Sequence, residues 1–505
     1  MDVMMGKRTV VCYDKVWRYC DTREEAVETV VPDTMPDIER ILGAEGAVII
    51  RSKEVGVGSV SLSAGVAASV MYVPEDGQGA RCISVAIPFS VELNAPGVSQ
   101  DSVPVARLTI VSLEARMLNP RKLVVRACVA ICLECYDRGV MEFCERLAGE
   151  DCCDIKTLAL SEDVCPVVCV KEKTFVVSDE YRVPAGRPPL NEILRSTAEL
   201  MLDDVKYVGS KLVIKGRAVV CVVYCAADSG ALTSLSFETA FSQLVETDCE
   251  LTAPDCDVSM LLTAVYIEPA TLSGGDKGLS CELHCVAQTV CTDSVNVSYI
   301  SDCYSNRHVL EPTRQSGKVK CAVRRVPMNC ALHERAETEQ TVAEVCGAYC
   351  RASEATWEKG MLRCRVTAEI VYTDDTGALQ SVSRRINAEC GMEPEEGFTV
   401  TSVSAVCCSV YATPAQKSVE LRLSVDFCVT LSCEKELSQV TDIVKREEAP
   451  ATGGASVTLV RAGEGMSLWK LAKKYCSTCE AIKAINGIAE DESICGRVLL
   501  IPASK

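Results

Sequence analysis

Aromatic residues make up only 5% of the 505-residue chain. Large rings are too few to fill its cores, so Val, Ala, Leu and Cys must do so, within a 48% apolar content ample for several cores. Histidine is scarcer still: there are three, His284, His308 and His333, and none neighbours a serine or cysteine in a nucleophile motif. The chain has no Gly-x-Ser-x-Gly, no Walker loop and no dinucleotide fingerprint. An enzyme is therefore not expected, and no cofactor is implied. Positive charge is also in deficit. A net charge of −18 argues against general nucleic-acid binding, which needs a basic surface. No stretch approaches the roughly 20 apolar residues of a membrane span. The start, MDVMMGKRTVVCYDKVW, lacks the apolar core and cleavage site of a secretory signal. These absences predict a protein made and retained in a cytoplasm.

Cysteine is abundant, at 32 residues. In a reducing compartment most should be thiols. Cys128/Cys132, Cys165/Cys169, Cys221/Cys225, Cys281/Cys285 and Cys346/Cys350 are four apart. On a strand such pairs share a face about 13 Å apart, too far for one metal or one disulfide. Most sit where Val or Ile would serve, so the plain expectation is small core hydrophobes. Cys132 and Cys135 point to opposite faces of a predicted strand. Cys476 and Cys479, within reach of Cys495, are candidates for a metal or redox cluster. Cys281-Glu-Leu-His284-Cys285 has metal-type residues but no second pair at zinc-finger spacing. Late oxidative cross-linking is a separate expectation.

A unit recurs three times. Val70-Met71-Tyr72, Val222-Val223-Tyr224 and Ile370-Val371-Tyr372 end similar apolar runs, and a polar turn follows each: Pro74–Gly77, Asp228–Gly230 and Asp374–Gly377. Strand-like runs come next, at Ile83–Val91, Leu232–Phe241 and Leu379–Ala388, and alternating strands close the copies at Leu123–Cys135, Leu279–Val290 and Val419–Cys433. Each copy opens with a Pro-acid-apolar pattern that predicts a short helix, at Pro36–Leu42 and Pro188–Leu194, with a degenerate form at Val342–Cys346. The fold class is thus mainly β: three tandem antiparallel, sandwich-like β domains, each with a short helix at its entrance. Domain 1 spans 30–140 after an N-terminal segment 1–29, domain 2 spans 180–295, and domain 3 spans 319–435. Glu/Asp clusters mark the joins at Glu142–Asp154 and Ser301–Gln315. Residues 444–456, KREEAPATGGAS in the main, read as a flexible linker that lets the last module swing.

That last module spans 457–503. Val457–Val460 reads as a strand. Ser467 caps a helix whose Leu468, Leu471, Ala472 and Tyr475 form one stripe. A second helix fits Thr478–Asn486, with Ile482 and Ile485 inward and Gly487 as its stop. Arg497–Ile501 closes as a strand. This β-α-α-β order resembles a LysM module on Ser467-Leu468-Trp469, the following Lys-Leu-Ala-Lys-Lys-Tyr, Ala484-Ile485-Asn486-Gly487, and Gly496 before Leu499-Leu500-Ile501-Pro502. The usual Gly-Asp-Thr becomes Gly465-Met466-Ser467, at positions that help hold glycan in many LysM modules. From Val457 onward seven Lys/Arg face five Asp/Glu, a net +2, leaving −20 for residues 1–456.

Three β domains followed by LysM, with Val30-Val31-Pro32, Pro36-Asp37-Ile38-Glu39-Arg40-Ile41-Leu42, Tyr72-Val73-Pro74, Ile87-Pro88-Phe89 and Arg182–Pro189, resemble the SipL-type spore-coat morphogenetic proteins of clostridia, whose β domains are of SPOCS type. The resemblance implies a non-enzymatic scaffold in the mother cell, at the forespore and spore-coat surface. It implies tethering of the coat's basement-layer ATPase, the SpoIVA-type protein, through LysM. The body would meet the forespore outer membrane surface or other coat proteins, or self-associate. Trp469 lies about 110° from the centre of the apolar stripe. It is expected at a partner- or glycan-binding edge with Ser467, Leu468, Lys470, Lys473, Asn486, Gly487 and Ile488. A peptidoglycan-binding LysM protein and a cysteine-based metal-binding protein are the competing readings.

Overall fold

Alternating apolar and polar residues dictate strands, and the computed structural model folds nearly the whole chain into them. It describes residues 3–77, 79–148, 154–227, 230–273, 275, 277–446, 456–489 and 492–503, without the side chain of Cys408. Asp228 and Ser229 of the second turn, Gly274, and residues 447–455 of the expected linker lie outside the described residues.

The first six strands are β1 (Met4–Val30), β2 (Ile38–Gly56), β3 (Ser59–Pro74), β4 (Arg81–Asn94), β5 (Val103–Asn119) and β6 (Lys122–Ala148). Strands β2, β3 and β4 form one antiparallel layer, and β6 lies between β1 and β5 in the other. Their facing sides share a core rich in Val, Ala, Leu and Ile, including Val66, Val70, Leu123 and Val129, with Tyr72 its one fully buried ring. β1 pairs with β6 along its length, although it precedes the boundary expected at residue 30.

The same pairing recurs twice. Next come β7 (Ile155–Val164), β8 (Val167–Arg182), β9 (Leu190–Val208), β10 (Lys211–Ala226), β11 (Leu232–Glu246), β12 (Asp255–Thr271), β13 (Lys277–Thr292) and β14 (Val295–Ser305). Here β13 lies between β8 and β12, over the layer β9-β10-β11. Then follow β15 (Val309–Glu337), β16 (Val342–Ala352), β17 (Thr356–Glu358), β18 (Met361–Asp374), β19 (Leu379–Gly391), β20 (Thr399–Ala415) and β21 (Ser418–Arg446). Here β21 lies between β15 and β20, over a layer in which β18 joins β16 to β19. Tyr72, Tyr224 and Tyr372 occupy matching places, and the first two hydroxyls donate to the carbonyls of Pro36 (3.0 Å) and Pro188 (2.8 Å).

No helix opens any unit: the three expected there are strands. The physical reason is a double bulge. In β2 residues 39 and 42 fall out of register with β3, in β9 residues 191 and 194 with β10, and in β16 residues 343 and 346 with β18. Each bulge swaps the inward face, so apolar residues recur three and four apart as they would on a helix. The bulged Leu42, Leu194 and Cys346 leave their own cores and meet in a shared one with Met71, Cys225 and Val371.

The pairs β1–β6 and β15–β21 run on beyond their units as ribbons. β7–β14 continues the β8–β13 ribbon past a break at Cys165-Pro166 and Asp293-Ser294. The three ribbons pack together through Val3, Ile155, Ile300, Val440 and Ile443, and through Val10, Phe143, Val297 and Leu437. The expected joins at 142–154 and 301–315 fall largely within these ribbons. Beyond them come β22 (Val457–Arg461), α1 (Leu468–Lys474), α2 (Cys479–Asn486) and β23 (Val498–Pro502), with β22 antiparallel to β23. Among the described residues these are the only helices, and none is long and apolar enough to cross a membrane.

Candidate interaction site

Ser467 caps α1 by accepting the backbone N–H of Lys470 (3.2 Å), and Thr478 caps α2 through Ala481 (3.1 Å). With the helix starts set, Leu471, Ala472 and Ile482 bury against Ile488, Ile494, Leu499 and Ile501, with Leu468 and Tyr475 partly covered. Ile485, expected inward, is 44% exposed: of the eight residues of α2 only Ile482 is fully buried. Gly487 takes the left-handed cap at φ 62°.

Trp469 has no place in that stripe, and β14 receives it. Its indole N–H donates to Oδ2 of Asp302 (2.8 Å), and Lys473 Nζ reaches Oδ1 (2.6 Å). Arg314 closes on Oδ1 from the body. Tyr304, two residues on, stands edge-on to the indole at 4.8 Å between centroids and donates to the Ser477 carbonyl (2.9 Å). It is 5% exposed and completes the module's core. Burial pushes the Asp302 carboxyl up, but the hydrogen bonds from Lys473 and Trp469 outweigh it and hold the group below the usual carboxylate range. The module is therefore seated on the body, not swinging free as the composition of 444–456 predicts. Linker composition speaks for the connection and not for contacts made beyond it.

The other expected edge residues divide. Lys470 is exposed, its ammonium donating to the Gly465 carbonyl (3.0 Å). Asn486 ties α2 to β23, donating to the Ile482 carbonyl (2.8 Å) and accepting from Leu500 N (2.8 Å), while Ile488 lies in the core. Asp302 and Tyr304 were not foreseen. They sit in a join of mixed charge, SDCYSNRHVLEPTRQ at 301–315, and no local pattern marks them as docking residues.

Among the described residues no three His, Cys, Asp or Glu side chains gather as metal ligands. Of the candidate trio Cys476 is buried, Cys479 half-buried and Cys495 exposed. Strand alternation separates the other candidate set: Cys281 and Cys285 enter the second core, while His284 faces outward beside Glu282 (2.6 Å). Two direct cross-strand pairs, Cys20–Cys132 and Cys256–Cys291, are joined as disulfides.

A cavity of about 650 Å³ lies where the three units meet. Arg107 bridges Glu134 (3.4 Å) and Asp257, and Arg325 bridges Asp255 (2.6 Å) and Asp257 (3.1 Å). These charges are engaged in joining one unit to the next.

A family model described as SipL, SPOCS domain matches residues 37–118, a stretch holding β2 to β5. The match supports a SipL-like assignment and points to a sporulation-related role. No curated protein and no solved structure matches the chain.

Proposed function

We propose that this chain is a non-enzymatic scaffold of spore-coat assembly. It is built as three SPOCS-type domains and a C-terminal LysM module, and works in the mother cell at the forespore surface. The body holds the coat side or the forespore membrane. The module captures the coat's basement-layer ATPase, a SpoIVA-type protein, through Trp469, Lys470 and Lys473.

One observation carries the reading. The stretch similar to a SPOCS domain is one of three that share strand pairing, double bulges and a buried tyrosine. This likeness supports reading the other two stretches as further domains of the same type. The β-α-α-β order of 457–502 supports the LysM part, and an indole flanked by cations supports a protein-binding edge. Titratable groups committed to joining the units support a body without chemistry.

A fluorescent fusion followed through sporulation, with a pull-down of the coat ATPase by the full-length chain, tests this. Forespore-surface signal and ATPase capture are expected. Signal at the vegetative cell wall, or capture of peptidoglycan and not of the ATPase, would overturn it.

A further inference from the structure

We propose that the Trp469–Lys473 edge is a clamp for a protein carboxylate followed two residues later by an aromatic ring, and that the chain's own Asp302 and Tyr304 keep it closed. The proposal rests on the reading above, in that the module carries the partner contact.

Trp469 and Lys473 stand four apart on α1, so their side chains lie side by side. Their two N–H donors converge on the two oxygens of one carboxylate, at 2.8 and 2.6 Å. A hydroxyl or amide offers one acceptor oxygen and no charge, so this donor pair selects a carboxylate. The second feature fixes the spacing. On an extended strand residues i and i+2 share a face, which puts Tyr304 beside the indole that Asp302 holds. Its hydroxyl reaches the carbonyl of Ser477, which is fully buried. The module thus reads an Asp-x-Tyr pattern, here Asp302-Cys303-Tyr304. A partner that uses the same edge must present the same chemistry and displace β14.

The cis contact consists of one ion pair, one indole hydrogen bond, one buried tyrosine hydrogen bond and one ring pair, each of modest worth alone. Covalent connection compensates by raising the local concentration of the two halves. If the clamp is closed nine times in ten, apparent affinity for an outside strand falls about tenfold.

The test uses the full chain and a fluorescein-labelled peptide with the sequence of residues 300–305 in which Ser replaces Cys303. Asp302→Asn opens the clamp without changing its shape. It is expected to bind the peptide about tenfold tighter than the wild type, to red-shift the Trp469 emission, and to capture more coat ATPase. A peptide with Asn for Asp should not bind, and adding Lys473→Gln or Trp469→Phe should abolish the gain. If Asp302→Asn red-shifts the emission but changes neither peptide nor ATPase binding, the clamp is wrong and the scaffold reading stands. If the peptide binds the open form but no variant captures the ATPase, the clamp stands and that reading fails.

Discussion

Arg195 of β9 lies 2.9 Å from Glu45 of β2, across the junction of the first two units, and the two are 6% and 1% exposed. The third unit adds Tyr349, which donates to Glu199 (3.1 Å), with Arg351 and Glu369 beside them. The matching positions of the three units carry different groups: Gly43, Arg195 and Gly347 at one, Ala47, Glu199 and Arg351 at another. Copies of one fold have thus been made complementary rather than alike, which sets who neighbours whom. Burial lifts the Glu45 carboxyl above its ordinary range although Arg195 and Arg351 pull it down. Among the described residues Oε2 of Glu369 and Nη2 of Arg351 find no hydrogen-bond partner. The cluster therefore favours a specific arrangement over maximal stability.

Arg195→Met should destabilise the chain by about 3–5 kcal/mol, because it strands Glu45 in a dry site. Adding Glu45→Leu should recover most of that loss. Denaturant titration of the single and double variants checks it, and an Arg195→Met chain as stable as wild type would show that Glu45 is neutral or hydrated.

The pH dependence of the same junction has a definite sign. Burial, then repulsion from Glu45, raises Glu369 from 4.5 to about 7. Below the lower value both states are protonated. Between the two the folded chain keeps a proton that the unfolded chain has lost, so stability falls as pH rises through that window, by at most about 3 kcal/mol. Glu369→Gln should remove this part of the slope and be more stable than wild type at pH 8 but not at pH 4. Parallel slopes for the two chains between those limits would refute the assignment.

The mainly β character was legible because alternation, polar turns and the tyrosine-ended runs are local signals. The helices predicted at Pro36–Leu42, Pro188–Leu194 and Val342–Cys346 failed because two bulges three residues apart imitate a helical period. In the terminal module Ser467, Thr478 and Gly487 act as caps at the places their residue types indicate. That Trp469 lies off the apolar stripe was also readable. Its partner was not, since Asp302 stands 167 residues away. A signal for the buried cluster was present and unused: Glu45 interrupts the small and apolar run from Gly43 to Ile50.

The matching tyrosines give a graded test of the repeat. Tyr72→Phe and Tyr224→Phe each remove a buried hydroxyl bonded to a proline carbonyl and should each cost about 1 kcal/mol, possession of the ring being unchanged. Tyr372 has no proline carbonyl in that place: it meets Oε1 of Gln340 at a long 3.5 Å, beside the Thr338 side chain, so Tyr372→Phe should cost less. Equal losses at all three sites would mean that the third unit opens as the others do.

The cysteines make a compartment-dependent prediction. Cys20 faces Cys132 across β1 and β6, and Cys256 faces Cys291 across β12 and β13, with Cys169 opposite Cys291 on the far side. A thiol count in denaturant should rise by four on reduction, and Cys132→Ser should lower the count of oxidised thiols by two. The Cys20–Cys132 link closes 112 residues, for which chain entropy alone gives about 4–5 kcal/mol. Both strands are already paired along their length, so the folded architecture should survive reduction while unfolding becomes easier. In a cytoplasm held reducing, the links would form only once that protection ends. Protein from sporulating mother cells before lysis should then carry four more free thiols than protein from mature spores, and equal counts from the two sources would separate these pairs from any role in maturation.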